Sequence, residues 1–216
     1  MPPESFACSR FLHLVGGLSV LGLAPYHALM AEIVLFHHAG GVTDGVLAFA
    51  QQLRDAGHTV HTPDLFDGRT FADVHDGVAF VQAQGEGTFA ARAAEIVASM
   101  GSELVYAGMS MGAARAAEQV LTRPGAKGAF FLYGAIAPSW WDATWPDLVP
   151  SQAHVTKDDE FREPEAEVQY LADVPGAELF VYPGAGHLFA EPGHPDYDEV
   201  AARLAAQRIL AFLGGL

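Results

Sequence analysis

Cysteine is almost missing from the 216 residues, with Cys8 the only one. A lone thiol closes no internal disulfide, and its place near the start of the chain leaves thiol catalysis in a folded body without a candidate. Basic residues are scarce too, 11 Lys and Arg against 26 Asp and Glu, for a formal net charge of −15. Such a surface repels phosphate backbones and anionic head groups, so nucleic acid is not an expected partner. An almost uncharged stretch over 11–24, preceded by Arg10, has the length of a signal-peptide core but is short for a membrane span. No stable membrane insertion is expected. Repeats, heptads and low-complexity blocks are absent, so nothing asks for a second domain.

The first 30 residues carry three readings. They form a secretory signal ending at Ala31, an extension that is weakly ordered or touches a membrane, or a run ahead of a natural start at Met30. Leu29 fits a cleavage site poorly, and the last reading is preferred. The expected organisation is an extension over 1–30 and one domain over 31–216, working in the cytoplasm, or exported if 1–31 is a signal.

What is present is an alternation. From Glu32 onward, short apolar runs rich in β-branched and aromatic residues alternate with longer amphipathic stretches, and Gly, Pro and Asp mark the joins. The pattern predicts strands over 33–37, 59–62, 104–108, 129–133, 152–155 and 179–182. It predicts helices over 43–56, 71–84, 88–100, 111–121, 164–173 and 196–213. Most of the strands are apolar on both faces, as in a doubly wound, mostly parallel α/β sheet with helices on both sides. The stretch 138–150 holds Trp140, Trp141 and Trp145. It either walls a pocket at the strand ends or buries its rings against the body.

Gly108-Met109-Ser110-Met111-Gly112 ends an apolar strand and opens an Ala-rich helix. This is the strand-turn-helix setting of a nucleophile elbow, with Ser110 projected from a tight turn; an ordinary glycine-rich join is the plainer reading. A serine hydroxyl needs a base, and the base needs a third group to hold its tautomer. His187 lies in Tyr182-Pro183-Gly184-Ala185-Gly186-His187, after the last predicted strand, and is the expected base, with His194 its nearest rival. His58, His61 and His75 are read as remote from the elbow, and His154 as a strand residue. For the acid, Asp158, Asp159 and Glu160 stand in a row, and spacing does not choose among them. The backbone N–H of Met111 is the first oxyanion donor expected, and Ala39, in the loop His37-His38-Ala39-Gly40-Gly41, the second. Neighbouring histidines on a strand point to opposite faces, so His37 and His38 are not expected to share a metal, and no cofactor is expected. Possible pocket residues are His38, Trp140, Trp141 and Phe189.

Several phrases, in order, resemble the dienelactone hydrolase family of the α/β-hydrolases. They are Ile33-Val34-Leu35-Phe36-His37-His38-Ala39-Gly40-Gly41, Thr62-Pro63-Asp64-Leu65-Phe66, the elbow at Ser110, Asp158-Asp159-Glu160-Phe161, and Tyr182 to Phe189. The resemblance covers about 32–216. It implies an α/β-hydrolase fold without a large lid and an acid two positions before an aromatic, which points to Asp159 before Phe161, with Asp158 the alternative. The chain departs from the family at two places. Ser110 stands where the founding members use cysteine, and His38 lies near a position where they carry a glutamate that helps to activate the thiol. The resemblance assigns none of Arg54, Arg69, Arg92 or Arg115 to the arginines that hold a substrate carboxylate there.

The expected activity is that of a serine hydrolase acting on small carboxylic esters or lactones, as a monomer or small homo-oligomer. The alternatives are a ligand-binding module that keeps the fold without catalysis, and a thioesterase or peptidase using the same three residues.

Overall fold

The structure is a computed structural model and describes residues 30–85 and 87–216. The expectations for the segment ahead of Met30 lie outside the described residues. In chain order the elements are β1 (Glu32–Phe36), α1 (Asp44–Asp55), β2 (Thr59–His61), α2 (Val74–Ala83), α3 (Thr88–Ala98), β3 (Val105–Met109) and α4 (Met111–Thr122). They continue with β4 (Gly128–Leu132), a 3-10 turn (Pro138–Trp141), β5 (Ser151–Thr156), α5 (Pro164–Asp173), β6 (Glu178–Tyr182) and α6 (Glu199–Leu213).

Six strands form one sheet in the order β2-β1-β3-β4-β5-β6, and every neighbouring pair is parallel. The alternation of side chains along β1 shows why both faces must be covered. Val34 and Phe36 enter one core with α3, α4 and Tyr170 of α5, while Ile33 and Leu35 enter the other with α1 and α6. All four of these β1 side chains are fully buried, each contributing roughly 1.5–3 kcal/mol. The result is the doubly wound α/β-hydrolase architecture, with no large lid among the described residues. No helix among them is long and apolar enough to cross a membrane.

Each predicted strand and helix has a counterpart, and two helices begin later than their apolar pattern. α2 starts at Val74 rather than 71 because the Asp73 side chain accepts the N–H of His75 and caps it there. Asp198 likewise accepts the N–H groups of Val200 and Ala201, so α6 starts at Glu199 rather than 196.

The Pro-Asp-Leu-Phe phrase is structural. Asp64 Oδ1 accepts the N–H of Phe66 at 2.8 Å, forming an Asx turn. The turn delivers Phe66 into a ring cluster, 5.1 Å from Phe80 and 4.8 Å from Phe89 between centroids. The topology reverses between β1 and β3, whose chains leave in opposite directions along the sheet. Open α/β sheets bind ligands at the carboxyl ends of the strands beside such a point.

Candidate active site

Ser110 is the first residue past β3 and has φ 51° and ψ −114°, a backbone conformation that non-glycine residues adopt only when their surroundings impose it. Two glycines make the turn possible. A Cβ on Gly108 would overlap the carbonyl of Gly112, and a Cβ on Gly112 would overlap the carbonyl of Phe36 at the end of β1. The N–H of Ser110 donates to the carbonyl of Leu132 at 2.8 Å, tying the turn to β4.

His187 arrives from the far side of the rim. Its loop is fastened to β5 by the Thr156 hydroxyl, which donates to the carbonyl of Gly186 at 2.9 Å, and by the N–H of Asp158, which donates to the carbonyl of Gly184 at 2.9 Å. Gly186 has no room for a side chain against the backbone of Asp196. The ring of His187 is buried, with Phe161 at 4.6 Å and Tyr133 at 5.5 Å between centroids.

Three side chains from three loops meet here. Nε2 of His187 lies 2.9 Å from Ser110 Oγ, and Nδ1 lies 2.7 Å from Asp159 Oδ2. A carboxylate only accepts, so Nδ1 carries the proton and Nε2 is left to accept from the serine hydroxyl. Asp159 is itself held, its Oδ1 accepting the N–H of Phe161 at 2.9 Å. Asp158 is exposed and Asp159 buried, and only Asp159 reaches His187. His194 is turned elsewhere, its Nδ1 accepting the N–H of Asp196 at 3.2 Å.

Met111 opens α4, so its N–H has no carbonyl one turn back to donate to. Among the described residues no acceptor is found for the N–H of Ala39 either. The contact of Gly112 with the carbonyls of Phe36 and His37 places the β1 loop against the start of α4.

A cavity of about 200 Å³ opens beside Ser110 and His187. Its walls are mostly apolar, with Ile136, Val155, Phe161 and Trp140 among them. Among the described residues that line it, Arg162 carries the one permanent cation, and that group is taken. Its Nε and one terminal nitrogen donate to the two oxygens of buried Glu167 at 2.6 and 2.8 Å, and the other terminal nitrogen donates to the carbonyl of Lys157 at 2.7 Å.

Of the expected pocket residues only Trp140 lines this cavity. Trp141 turns away and donates from Nε1 to Glu118 at 2.9 Å, and Trp145 is buried against Phe131. Phe189 is wholly buried behind Tyr133, with ring centroids 5.4 Å apart. His38 faces a different cavity, on the other side of the β1 loop, together with Glu191. His75 corrects the sequence reading in the opposite direction. It is not remote, since its ring stacks obliquely on Phe161 at 5.3 Å and its Nε2 lies 3.6 Å from Glu160. Sequence reasoning missed Tyr133 and the Arg162–Glu167 pair. The available signals were a tyrosine directly after a strand end and an arginine three positions past the candidate acid.

His37 and His38 diverge. His37 Nδ1 donates to the carbonyl of His38 at 2.7 Å, and its Nε2 accepts the N–H of Leu65 at 3.0 Å. Burial holds its pKa down at about 4, so it is neutral. Among the described residues no group of three or more His, Cys, Asp or Glu side chains is arranged to hold a metal.

Comparison with known proteins adds the context. The model of the dienelactone hydrolase family matches residues 20–216. No curated protein matches the sequence. Among solved structures, a candidate dienelactone hydrolase from Klebsiella pneumoniae aligns with a TM-score of 0.68 at 17% identity, covering 87% of this chain and 88% of that one. A dienelactone hydrolase-like promiscuous phosphotriesterase from metagenomic libraries gives 0.68 at 20%, with 86% of each chain covered. A dienelactone hydrolase from Anabaena variabilis gives 0.56 at 21%, covering 84% and 87%. At such identities the likeness is one of fold.

Proposed function

The chain belongs to the dienelactone hydrolase family, and from that premise we propose that it hydrolyses small carboxylic esters or lactones through an acyl-enzyme on Ser110. The observation that carries the reading is the unbroken line from Ser110 Oγ to His187 at 2.9 Å and on to Asp159 at 2.7 Å, beside an open cavity.

Ser110 Oγ attacks the carbonyl carbon as Nε2 of His187 takes its proton. The carbonyl oxygen becomes an oxyanion held by the N–H groups of Met111 and Ala39. Asp159 keeps the proton of His187 on Nδ1 and stabilises the imidazolium while it lasts. His187 then returns the proton to the leaving alkoxide. In the second half Nε2 of His187 draws a proton from water as the water oxygen attacks the acyl carbon, and it returns that proton to Ser110 Oγ as the bond between Oγ and the acyl group breaks, freeing the acid and restoring the resting enzyme. No cofactor enters these steps.

Size and charge narrow the substrate. A cavity of about 200 Å³ suits a short acyl group. Its apolar walls and committed Arg162 favour an uncharged one. The backbone strain at Ser110 also weighs against a binding module that has lost catalysis, because strain of about 1–3 kcal/mol persists most readily where function uses it. Cytoplasmic work is part of the same proposal.

Ser110→Ala tests it. Turnover of p-nitrophenyl acetate should fall by about 10⁴-fold or more, and labelling by a fluorophosphonate probe should vanish. Wild-type turnover in that variant overturns the proposal.

A further inference from the structure

The proposed mechanism makes no use of a buried His38–Glu191 contact on the other side of the β1 loop. His38 Nε2 lies 2.5 Å from Glu191 Oε1, and the two side chains are 1% and 3% exposed. Burying a carboxylate and an imidazole this fully costs stability unless each has a partner. The approach is off the N–H direction, and neither atom meets another hydrogen-bonding group among the described residues. The other oxygen of Glu191 accepts the Thr43 hydroxyl at 3.1 Å, and Gly45 packs directly on it. Thr43 in turn caps α1 by accepting the N–H of Val46 at 3.2 Å. The pair is therefore anchored to the start of a rigid helix.

Its other end holds the loop. The N–H of Gly40 donates to His38 Nδ1 at 2.9 Å. Nδ1 accepts, so in the neutral ring the proton sits on Nε2, which faces Glu191. This bond fixes the peptide plane between Ala39 and Gly40. The plane before it, between His38 and Ala39, is fixed by the His38 carbonyl, which accepts from His37 Nδ1 at 2.7 Å and from the N–H of Gly41 at 3.0 Å. In a trans peptide the N–H points opposite to the C=O. The N–H of Ala39 is thus aimed away from the side of the loop where those two donors meet the His38 carbonyl. The carbonyl of Ala39 is confined in turn, since a Cβ on Gly77 would overlap it.

We propose that the His38–Glu191 pair is a positioning device for the oxyanion site, holding the Ala39 N–H where it serves as the second donor. The inference rests on the proposed acyl transfer at Ser110. His38 touches no substrate. It acts through the Ala39–Gly40 peptide, and Glu191 acts through the tautomer and orientation of His38.

The test compares His38→Leu with His38→Asn, side chains of similar size of which only asparagine offers an acceptor near the position of Nδ1. A misplaced oxyanion donor lowers kcat by about 10- to 100-fold, somewhat less than outright removal of one. His38→Leu should show that loss on p-nitrophenyl acetate with KM within about threefold of wild type, as expected when only transition-state binding is lost. His38→Asn should recover most of it. The carbonyl stretch of the trapped acyl-enzyme should rise in the leucine variant and return in the asparagine one. Should the leucine variant not fold, His38→Ala takes its place. Equal kcat in the acceptor and non-acceptor variants, at any level, overturns the inference. The two proposals fail differently: a wild-type protein without esterase turnover or probe labelling removes the acyl-transfer reading, whereas an active wild type matched by His38→Leu removes only the positioning role.

Discussion

Asp159 meets His187 through one carboxylate oxygen at 2.7 Å while its other oxygen is held by the N–H of Phe161. Both oxygens are thereby assigned, and the carboxylate cannot swing without breaking one of the two bonds. On the proposed mechanism the consequence is a fixed tautomer of His187. Asp159→Asn presents an amide that can donate to Nδ1, which favours the proton on Nε2 and leaves no base for Ser110. A fall in kcat of roughly 10³- to 10⁴-fold is expected with the fold intact. Asp158→Asn, altering an exposed neighbour, should leave kcat within about threefold of wild type. Ester turnover of the two variants, with circular dichroism as the check on folding, decides between them.

Two histidines outside the proposed chemistry should weaken the fold as pH falls. His37 and His154 are fully buried. Burial lowers their pKa values from 6.5 to about 4 and about 3, with the positive charge of Arg208 adding to the effect at His154. Above pH 6.5 both are neutral in the folded and unfolded chain alike. Below it the unfolded chain binds protons that the folded protein refuses until about pH 4, so the unfolded state carries more protons and stability declines as pH falls. Each histidine contributes up to about 2–3 kcal/mol of this loss between pH 6.5 and 4.5. Urea unfolding at several pH values should show the decline, and His154→Asn, which cannot titrate, should make it shallower. An unchanged slope in that variant would contradict the assignment.

The strands were legible because burial on both faces leaves an unmistakable apolar run, as in Val105–Met109 and Gly128–Leu132. Ser110 and His187 were legible for a related reason: each sits in a glycine-rich turn at the end of such a run, and the sterics of Gly108, Gly112 and Gly186 explain those glycines. Contacts across the rim were not legible. His75 lies 85 positions before Glu160 and 86 before Phe161, the residues it meets across the rim, and tertiary packing alone brings α2 to the acid loop. The same holds for His38, which sequence alone assigned to a substrate pocket. Its partner Glu191 comes from beyond β6, and the Gly40 N–H that occupies its ring is a backbone group that no side-chain pattern announces. Local periodicity encodes which face of an element is buried, and tertiary packing decides which loops touch.

Arg162 is the last of these tertiary facts with a consequence for function. A guanidinium facing a substrate cavity would ordinarily recruit an anion, but two of its nitrogens are bound to Glu167 and the third to the carbonyl of Lys157. Exposed Glu163 adds a further negative charge to the cavity wall. An ester whose acyl chain ends in a carboxylate therefore meets repulsion without a free cation. A neutral p-nitrophenyl ester should be turned over with a kcat/KM at least about tenfold above that of its carboxylate-ended counterpart of equal length, a difference of roughly 1.4 kcal/mol. Glu167→Gln keeps the shape and one acceptor but removes the charge that holds Arg162. That variant should narrow the ratio, and the narrowing should fade at high salt as the freed cation is screened. Equal turnover of the two esters by the wild-type protein would show that Arg162 reaches substrate despite Glu167, and the neutral acyl preference would have to be given up.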